Sequence, residues 1–278
     1  EAEEAEEARE AEAGEVEDFG DEEISGAEEP CRGPSADADA QSPGGDFWDA
    51  GPELQRWHDS ESGGEVEFLA ALVMPEGSSE APRGAPAWGW PVAFYFPGLG
   101  HTPEQIMQLE WASHAPEPFV LVVPSRPESH WWFIQYQSEF WGWVEGSFRP
   151  ELVECFHRWI IDLVKRPGID PLRVGLFGFS AGAYAVLELL ATSTMAFAGV
   201  GLGGVHGHGQ GDGDGLPAKH AAGAREKFDA CVARLRGHRG ASWIEATHAK
   251  EDRQSTFADA QVILQALSER QEELGLPP

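Results

Sequence analysis

"RVGLFGFSAGAYAVLELL", residues 173–190, decides how the rest of the chain is read. An apolar run stops at Gly178, Ser180 stands between Gly178 and Gly182, and an alanine- and leucine-rich segment follows. The run has the character of a strand buried on both faces, and the segment after it has the pattern of a buried helix. A bend this tight pushes the serine backbone toward positive φ and lifts its hydroxyl clear of the sheet edge. Residues two positions away on either side then come so close that a Cβ would clash, which calls for glycine. The helix aims its unpaired N–H groups and positive dipole end at the same point, where negative charge is stabilised. Such a corner suits a nucleophile. The bare G-x-S-x-G pattern also fits a glycine-rich turn, and the strand before it and the helix after it favour the corner.

Working outward, strand-like and helix-like segments alternate, as expected for a mostly parallel central sheet with helices on both faces. Residues 65–75 read as an early strand, half of an N-terminal hairpin. The runs 91–98 and 119–124 are short and continuously apolar. Between them Thr102 is a natural N-cap, Pro103 suits the first helical position and Gln105 completes a capping box. "PELVECFHRWIIDLVKRPGID" (150–170) is the clearest helix, with Leu152, Cys155, Phe156, Trp159, Ile160, Leu163 and Val164 on one face and Pro167 and Gly168 ending it. Residues 172–178 form the next strand and 182–191 the next helix. Segments 197–204 and 242–249 supply two more strands, and a last helix runs over 256–274.

Composition sets limits. The 278 residues are 41% hydrophobic, enough for a sizeable core. Residues 1–30 hold fifteen acidic side chains against the single Arg9, about half of the net charge of −29. Residues 1–45 are therefore expected to be a disordered acidic tail, because they cannot bury enough apolar surface to offset ordering entropy. The remainder, 46–278, suits one large α/β domain. No basic stripe offers a nucleic-acid footprint, and no run is long enough to span a bilayer. Cys31, Cys155 and Cys231 are too scattered for a disulfide framework or a zinc site. Neither compartment nor oligomeric state is legible.

From about residue 65 to 274 the chain resembles the α/β-hydrolase superfamily. "GIDPLRVGLFGFSAGAYAVLELL" is especially similar to feruloyl-esterase, polyhydroxybutyrate-depolymerase and dienelactone-hydrolase relatives, whose aspartate-proline pair and arginine before the elbow are matched by Asp170, Pro171 and Arg173. The resemblance implies Ser180 as nucleophile and the backbone N–H of Ala181 as one oxyanion donor. The second donor would come from the loop after the third strand, here Pro97-Gly98-Leu99-Gly100, which points to Leu99. Proline replaces the family's usual histidine there, and His101 either lines the site or flanks a helix. "HAKED" (248–252) is similar to the family's His-Gly-x-x-Asp and puts the orienting carboxylate at Asp252, with Glu251 in reserve and His248 shaping the loop. Asp252 otherwise merely neighbours the N-terminus of the last helix.

The family's base histidine has no counterpart: no strand and no histidine follow "EELGLPP". His206 and His208, after the sixth strand, are the substitutes on the correct sheet edge. The expectation is a fragment whose base lies just beyond Pro278, since the chain also begins without methionine. The implied activity is hydrolysis of small carboxylic esters without a cofactor. A prolyl-oligopeptidase-like peptidase and a non-catalytic binding protein of the same fold are the alternatives. Trp131 and Trp132, in the aromatic stretch 130–148, either wall the substrate site or anchor a long connection. "HGHGQGDGDG" (206–215) reads as a mobile loop in preference to a metal site.

Overall fold

The valine- and leucine-rich runs stand side by side in the computed structural model of the chain, which describes residues 54–78, 84–127, 130–135, 147–204, 232–247 and 257–276. The expected acidic tail lies outside the described residues. In chain order the elements are β1 (Leu54–His58), β2 (Glu65–Val73), β3 (Trp90–Phe96), α1 (Pro103–Met107), α2 (Trp111–His114) and β4 (Phe119–Pro124). Short strands β5 (His130–Trp131), β6 (Ile134–Gln135) and β7 (Ser147–Phe148) precede α3 (Pro150–Val164), β8 (Ile169–Phe179) and α4 (Ala181–Thr192). After β9 (Gly199–Gly203) residues 232–235 are helical, and β10 (Ile244–Thr247) and α5 (Phe257–Glu273) follow.

Among the described residues the main sheet has seven strands in the order β1-β2-β4-β3-β8-β9-β10, and β5-β6-β7 form a small separate sheet. β1 and β2 are an antiparallel hairpin, and β2 also runs antiparallel to β4. From β4 to β10 every pairing is parallel. The expected mostly parallel sheet is present, and it is sandwiched. On one face Val92, Phe94 and Phe96 of β3 belong to the same core cluster as buried residues of α3, α4 and α5. On the other, Leu121 and Val123 meet Ile106 of α1, with Tyr95 and Trp111 beside them.

Local chemistry explains the boundaries. Thr102 caps α1 through the Gln105 N–H while the Gln105 side chain accepts from the Thr102 N–H, a complete capping box. In α3 the buried stripe includes Val153 as well as Cys155, Phe156, Trp159, Ile160, Leu163 and Val164, and Leu152 is only half-buried. That helix stops at Val164, just ahead of the expected stop at Pro167 and Gly168, and the chain then turns into β8, with Gly168 handing its carbonyl to the Trp90 N–H and Ile169 pairing with Trp90. Trp159 is fully buried at the centre of the face, with ring centroids 5.3 Å from Phe68, 5.3 Å from Phe94 and 5.6 Å from Phe156. Each tilted aromatic pair adds about 0.5–1.5 kcal/mol beyond the area it buries.

Two polar clamps hold the edges of this sandwich. Asp59, 2% exposed in the β1–β2 turn, accepts from Arg158 of α3 at 2.6 and 3.0 Å and from the Ser62 hydroxyl. The hydrogen bonds from Arg158 and Ser62 hold its carboxyl well below the ordinary carboxylate range, against the effect of burial. At the amino end of β8 Arg173 donates to Asp170 at 2.7 Å, to both Glu117 oxygens at 2.9 Å and to the Gly89 carbonyl at 3.3 Å. One guanidinium thus ties β8 to the segments leading into β3 and β4. Burial pushes the Asp170 carboxyl upward, but the Arg173 bond and the Leu172 N–H outweigh it and lower it overall.

These groups set an acid limit. Burial lowers the pKa of His157 and His238 below the ordinary value, outweighing hydrogen bonds to the Leu189 and Leu267 backbones. The unfolded chain therefore binds more protons below about pH 6.5, and stability falls as pH drops through that value. Asp59 and Asp170 act in the opposite range. Their contribution is present above the unfolded carboxylate pKa of about 3.9 and is lost only as pH falls toward their lowered folded values. Thermal melts should show little change between about pH 7 and 8, a first decline below about 6.5 and a steeper one below about 4. In His157→Gln the first decline should shrink.

Candidate active site

The corner at Ser180 is built by crowding. β8 ends at Phe179, Ser180 takes φ 53° and ψ −118°, and α4 starts at Ala181. A serine at positive φ costs on the order of 1–3 kcal/mol, and such strain persists only where the surroundings impose it. Here the Ser180 N–H donates to the Gly203 carbonyl at the end of β9 (2.8 Å), and its carbonyl accepts from Tyr184 in the first turn of α4 (3.2 Å). A Cβ at Gly178 would overlap the Gly182 carbonyl and lie 2.7 Å from the Ala183 nitrogen. A Cβ at Gly182 would overlap the Phe96 carbonyl oxygen and lie 2.8 Å from that of Pro97. Both glycines are required by backbone contact, not by flexibility.

The second wall is the loop after β3. Phe96 pairs with Gly178, so this loop leaves the sheet beside the corner. Gly98 and His101 close a turn through a 3.2 Å N–H to carbonyl bond, and Gly100 sits at φ 83°. A Cβ at Gly98 would lie 3.1 Å from the Phe179 carbonyl oxygen, a tight contact that favours glycine. Among the described residues the N–H groups of Leu99 and Ala181 enter no hydrogen bond. Leu99 is 39% exposed at the rim, and Ala181 is fully buried at the first position of α4, where the helix dipole is positive. Among the described residues, then, the amide next to Ser180 and one in the β3 exit loop have no hydrogen-bond acceptor.

Trp132 packs into the core. It is fully buried, with its ring 5.0 Å from Phe96 and 6.0 Å from Phe156, and its indole N–H donates to the Pro97 carbonyl at 3.1 Å. The physical reason is the aromatic cluster: a large apolar ring next to Phe96 and Phe156 gains more from burial than from a place at an opening. Its φ of 54° makes it, with Ser180, one of two non-glycine residues at positive φ among the described residues. Nothing in the local sequence pairs position 132 with 97, so this link was not foreseen. Trp131 forms β5, paired with Ile134.

The remaining candidates divide. His101 is beside the site, its ring centroid 6.3 Å from that of Phe179. His58 is on β1, at the far edge of the sheet. His157 faces Thr192 at 3.2 Å, and His238 is buried with its Nδ1 accepting from the Gly240 N–H. Asp252, Glu251, His248, His206 and His208 lie outside the described residues. β10, which leads toward 252, ends at Thr247, whose carbonyl accepts from Gly204 at 2.8 Å. Cys155 is no rival nucleophile. It is buried, and burial first and the Asp59 carboxylate second push its thiol up to about 11, despite Arg158. No group of three or more metal-ligating side chains occurs among the described residues. No helix there is long and apolar enough to cross a membrane.

No protein-family model and no curated protein sequence matches the chain. Solved structures do. A lipase/esterase from Lactobacillus plantarum superposes with a TM-score of 0.51 at 16% identity, covering 79% of this chain and 86% of that one. The acylaminoacyl peptidase of Pyrococcus horikoshii gives 0.51 at 15% identity, over 81% of this chain and 35% of its own. A thermostable esterase gives 0.48 at 16%, over 81% and 52%. The chain thus spans about half the length of that esterase and about a third of the peptidase. With the strand order above, the likeness to the Lactobacillus plantarum lipase/esterase and to the Pyrococcus horikoshii peptidase establishes the α/β-hydrolase fold.

Two substitutions test the corner. Gly182→Ala should destabilise by more than about 4 kcal/mol or prevent folding, because the clash is with backbone that cannot move aside. Gly77→Ala, at φ 81° with open space around it, should cost only about 1–2 kcal/mol. Trp132→Phe should cost about 1–3 kcal/mol by leaving the Pro97 carbonyl unpaired, read as a lower denaturant midpoint at an unchanged m-value.

Proposed function

We propose that the chain is a serine hydrolase that cleaves carboxylic esters, with the Ser180 hydroxyl as nucleophile. The observation that carries this reading is a serine at φ 53° between β8 and α4, with unused N–H groups, among the described residues, at the adjacent Ala181 and at Leu99 in the β3 exit loop. The crowding imposes the positive φ but not the residue type, since glycine would take it without strain, and the Ala181 and Leu99 amides would receive the oxyanion. Attack of Oγ on the acyl carbon forms a carbon–oxygen bond and moves the carbonyl electron pair onto oxygen. The Ala181 and Leu99 amides would hold that charge, each at a value of about 3 kcal/mol in the transition state. Collapse expels the alcohol, and water then releases the acid from the acyl-serine. The serine proton needs a base, and the base an orienting carboxylate, a role we assign to Asp252 with Glu251 as its substitute. Among the described residues no histidine is hydrogen-bonded to Ser180.

A peptidase is the second reading. Similarity to the Pyrococcus horikoshii acylaminoacyl peptidase favours it, and the same corner would serve amide cleavage. Turnover of p-nitrophenyl esters without turnover of peptidyl anilides separates the first reading from the second.

A fluorophosphonate probe tests both against a non-catalytic protein of the same fold. On the full-length protein, covalent labelling should map to Ser180 and vanish in Ser180→Ala with the thermal melt unchanged. A folded wild-type protein that takes no label would end the hydrolase reading.

A further inference from the structure

Phe179, the residue before Ser180, is 46% exposed, unusual for a phenylalanine at the end of a core strand. It is nevertheless seated. A Cβ at Gly203 would lie 2.9 Å from its Cδ2, and one at Gly98 would lie 3.2 Å from its Cδ1. Two neighbouring segments thus keep glycine where the ring rests. Two residues earlier Phe177 uses the same device over Gly201, whose Cβ would lie 3.0 Å from its Cε1, and it is half-buried. Phe179 is the outer member of that aromatic row, at the carboxyl edge of the sheet. Were the ring there for packing alone, leaving nearly half of it in water would forgo much of the gain.

The open part of the ring shares a space with the serine. A Cβ at Gly204 would be 3.8 Å from the Ser180 Cα and 3.9 Å from Cε2 of Phe179. That point is bare because Gly204 has no side chain, and its φ of 60° disfavours any other residue. Leu99, next to Gly98 in the β3 exit loop, is 39% exposed. Among the described residues, the exposed ring and the missing side chain of Gly204 leave an apolar notch beside the Ser180 backbone.

We propose that Phe179 is a specificity-determining residue: its exposed ring, with the notch over Gly204, receives an apolar chain attached to the reacting carbonyl, so that esters of medium or long apolar acids are preferred to acetyl esters. This rests on the hydrolase reading above and deepens it.

The test compares rates of Ser180 labelling by two phosphonofluoridates that differ only in a methyl or an octyl group on phosphorus. Wild-type protein should label about tenfold faster with the octyl probe, the lower end of what apolar pocket contacts discriminate. In Phe179→Ala the octyl-to-methyl ratio should fall toward one, whatever the change in the methyl rate itself. Phe179→Tyr should keep the ratio. Should the alanine chain not fold, Phe179→Gln, which keeps bulk without the ring, should lose the ratio in its place. Labelling by both probes with a ratio indifferent to residue 179 would overturn the specificity role and leave the hydrolase reading standing. No labelling by either probe would overturn that underlying reading instead.

Discussion

A carbonyl oxygen, that of Phe96, occupies the place where a side chain at residue 182 would begin. Everything at the corner follows from this contact between the end of β3 and the first turn of α4. It brings the helix N-terminus against the exit loop of a neighbouring strand, so that two separate segments meet beside Ser180. It also leaves the chain no gentler route from β8 into α4, and Ser180 absorbs the turn at positive φ. The strain is held from three sides: β9 through the Gly203 carbonyl, α4 through Tyr184, and the β3 loop through Gly98 packed on Phe179.

The parts of this arrangement that are local in sequence could be read without coordinates. Gly178 and Gly182 announce the crowding because only a residue without a Cβ fits, and Thr102 with Gln105 announces the start of α1. The apolar run 119–124 coincides with β4 because its residues are packed on both faces, a condition that overrides other signals. Boundaries moved where a distant partner decided them. β8 begins at Ile169, three residues before its apolar run, because Trp90 pairs with Ile169 and Arg173 fastens the strand to Glu117.

What escaped the sequence shares one cause: the interacting groups are far apart along the chain and chemically unremarkable where they stand. A tryptophan at 132 and a proline carbonyl at 97 carry no mutual signature, since main-chain acceptors occur at every residue. The same holds for Asp59 and Arg158, ninety-nine positions apart. Aromatic clustering in 130–148 drew attention to Trp132, but whether a ring faces solvent or core depends on neighbours such as Phe156 that only the fold supplies.

The ion-paired root of β8 has a mechanical meaning. Arg173 grips a bidentate carboxylate, a second carboxylate and a main-chain oxygen at one extremity of the strand, while the serine sits at the other. A ribbon pinned so firmly at its base cannot slide by a residue relative to β3 or β4 without breaking several charged bonds at once. The height of the hydroxyl above the sheet is therefore set from behind, by an anchor seven residues away. Slippage of the strand is thus resisted at its foot as well as at the corner, where β9 and α4 bond to Ser180.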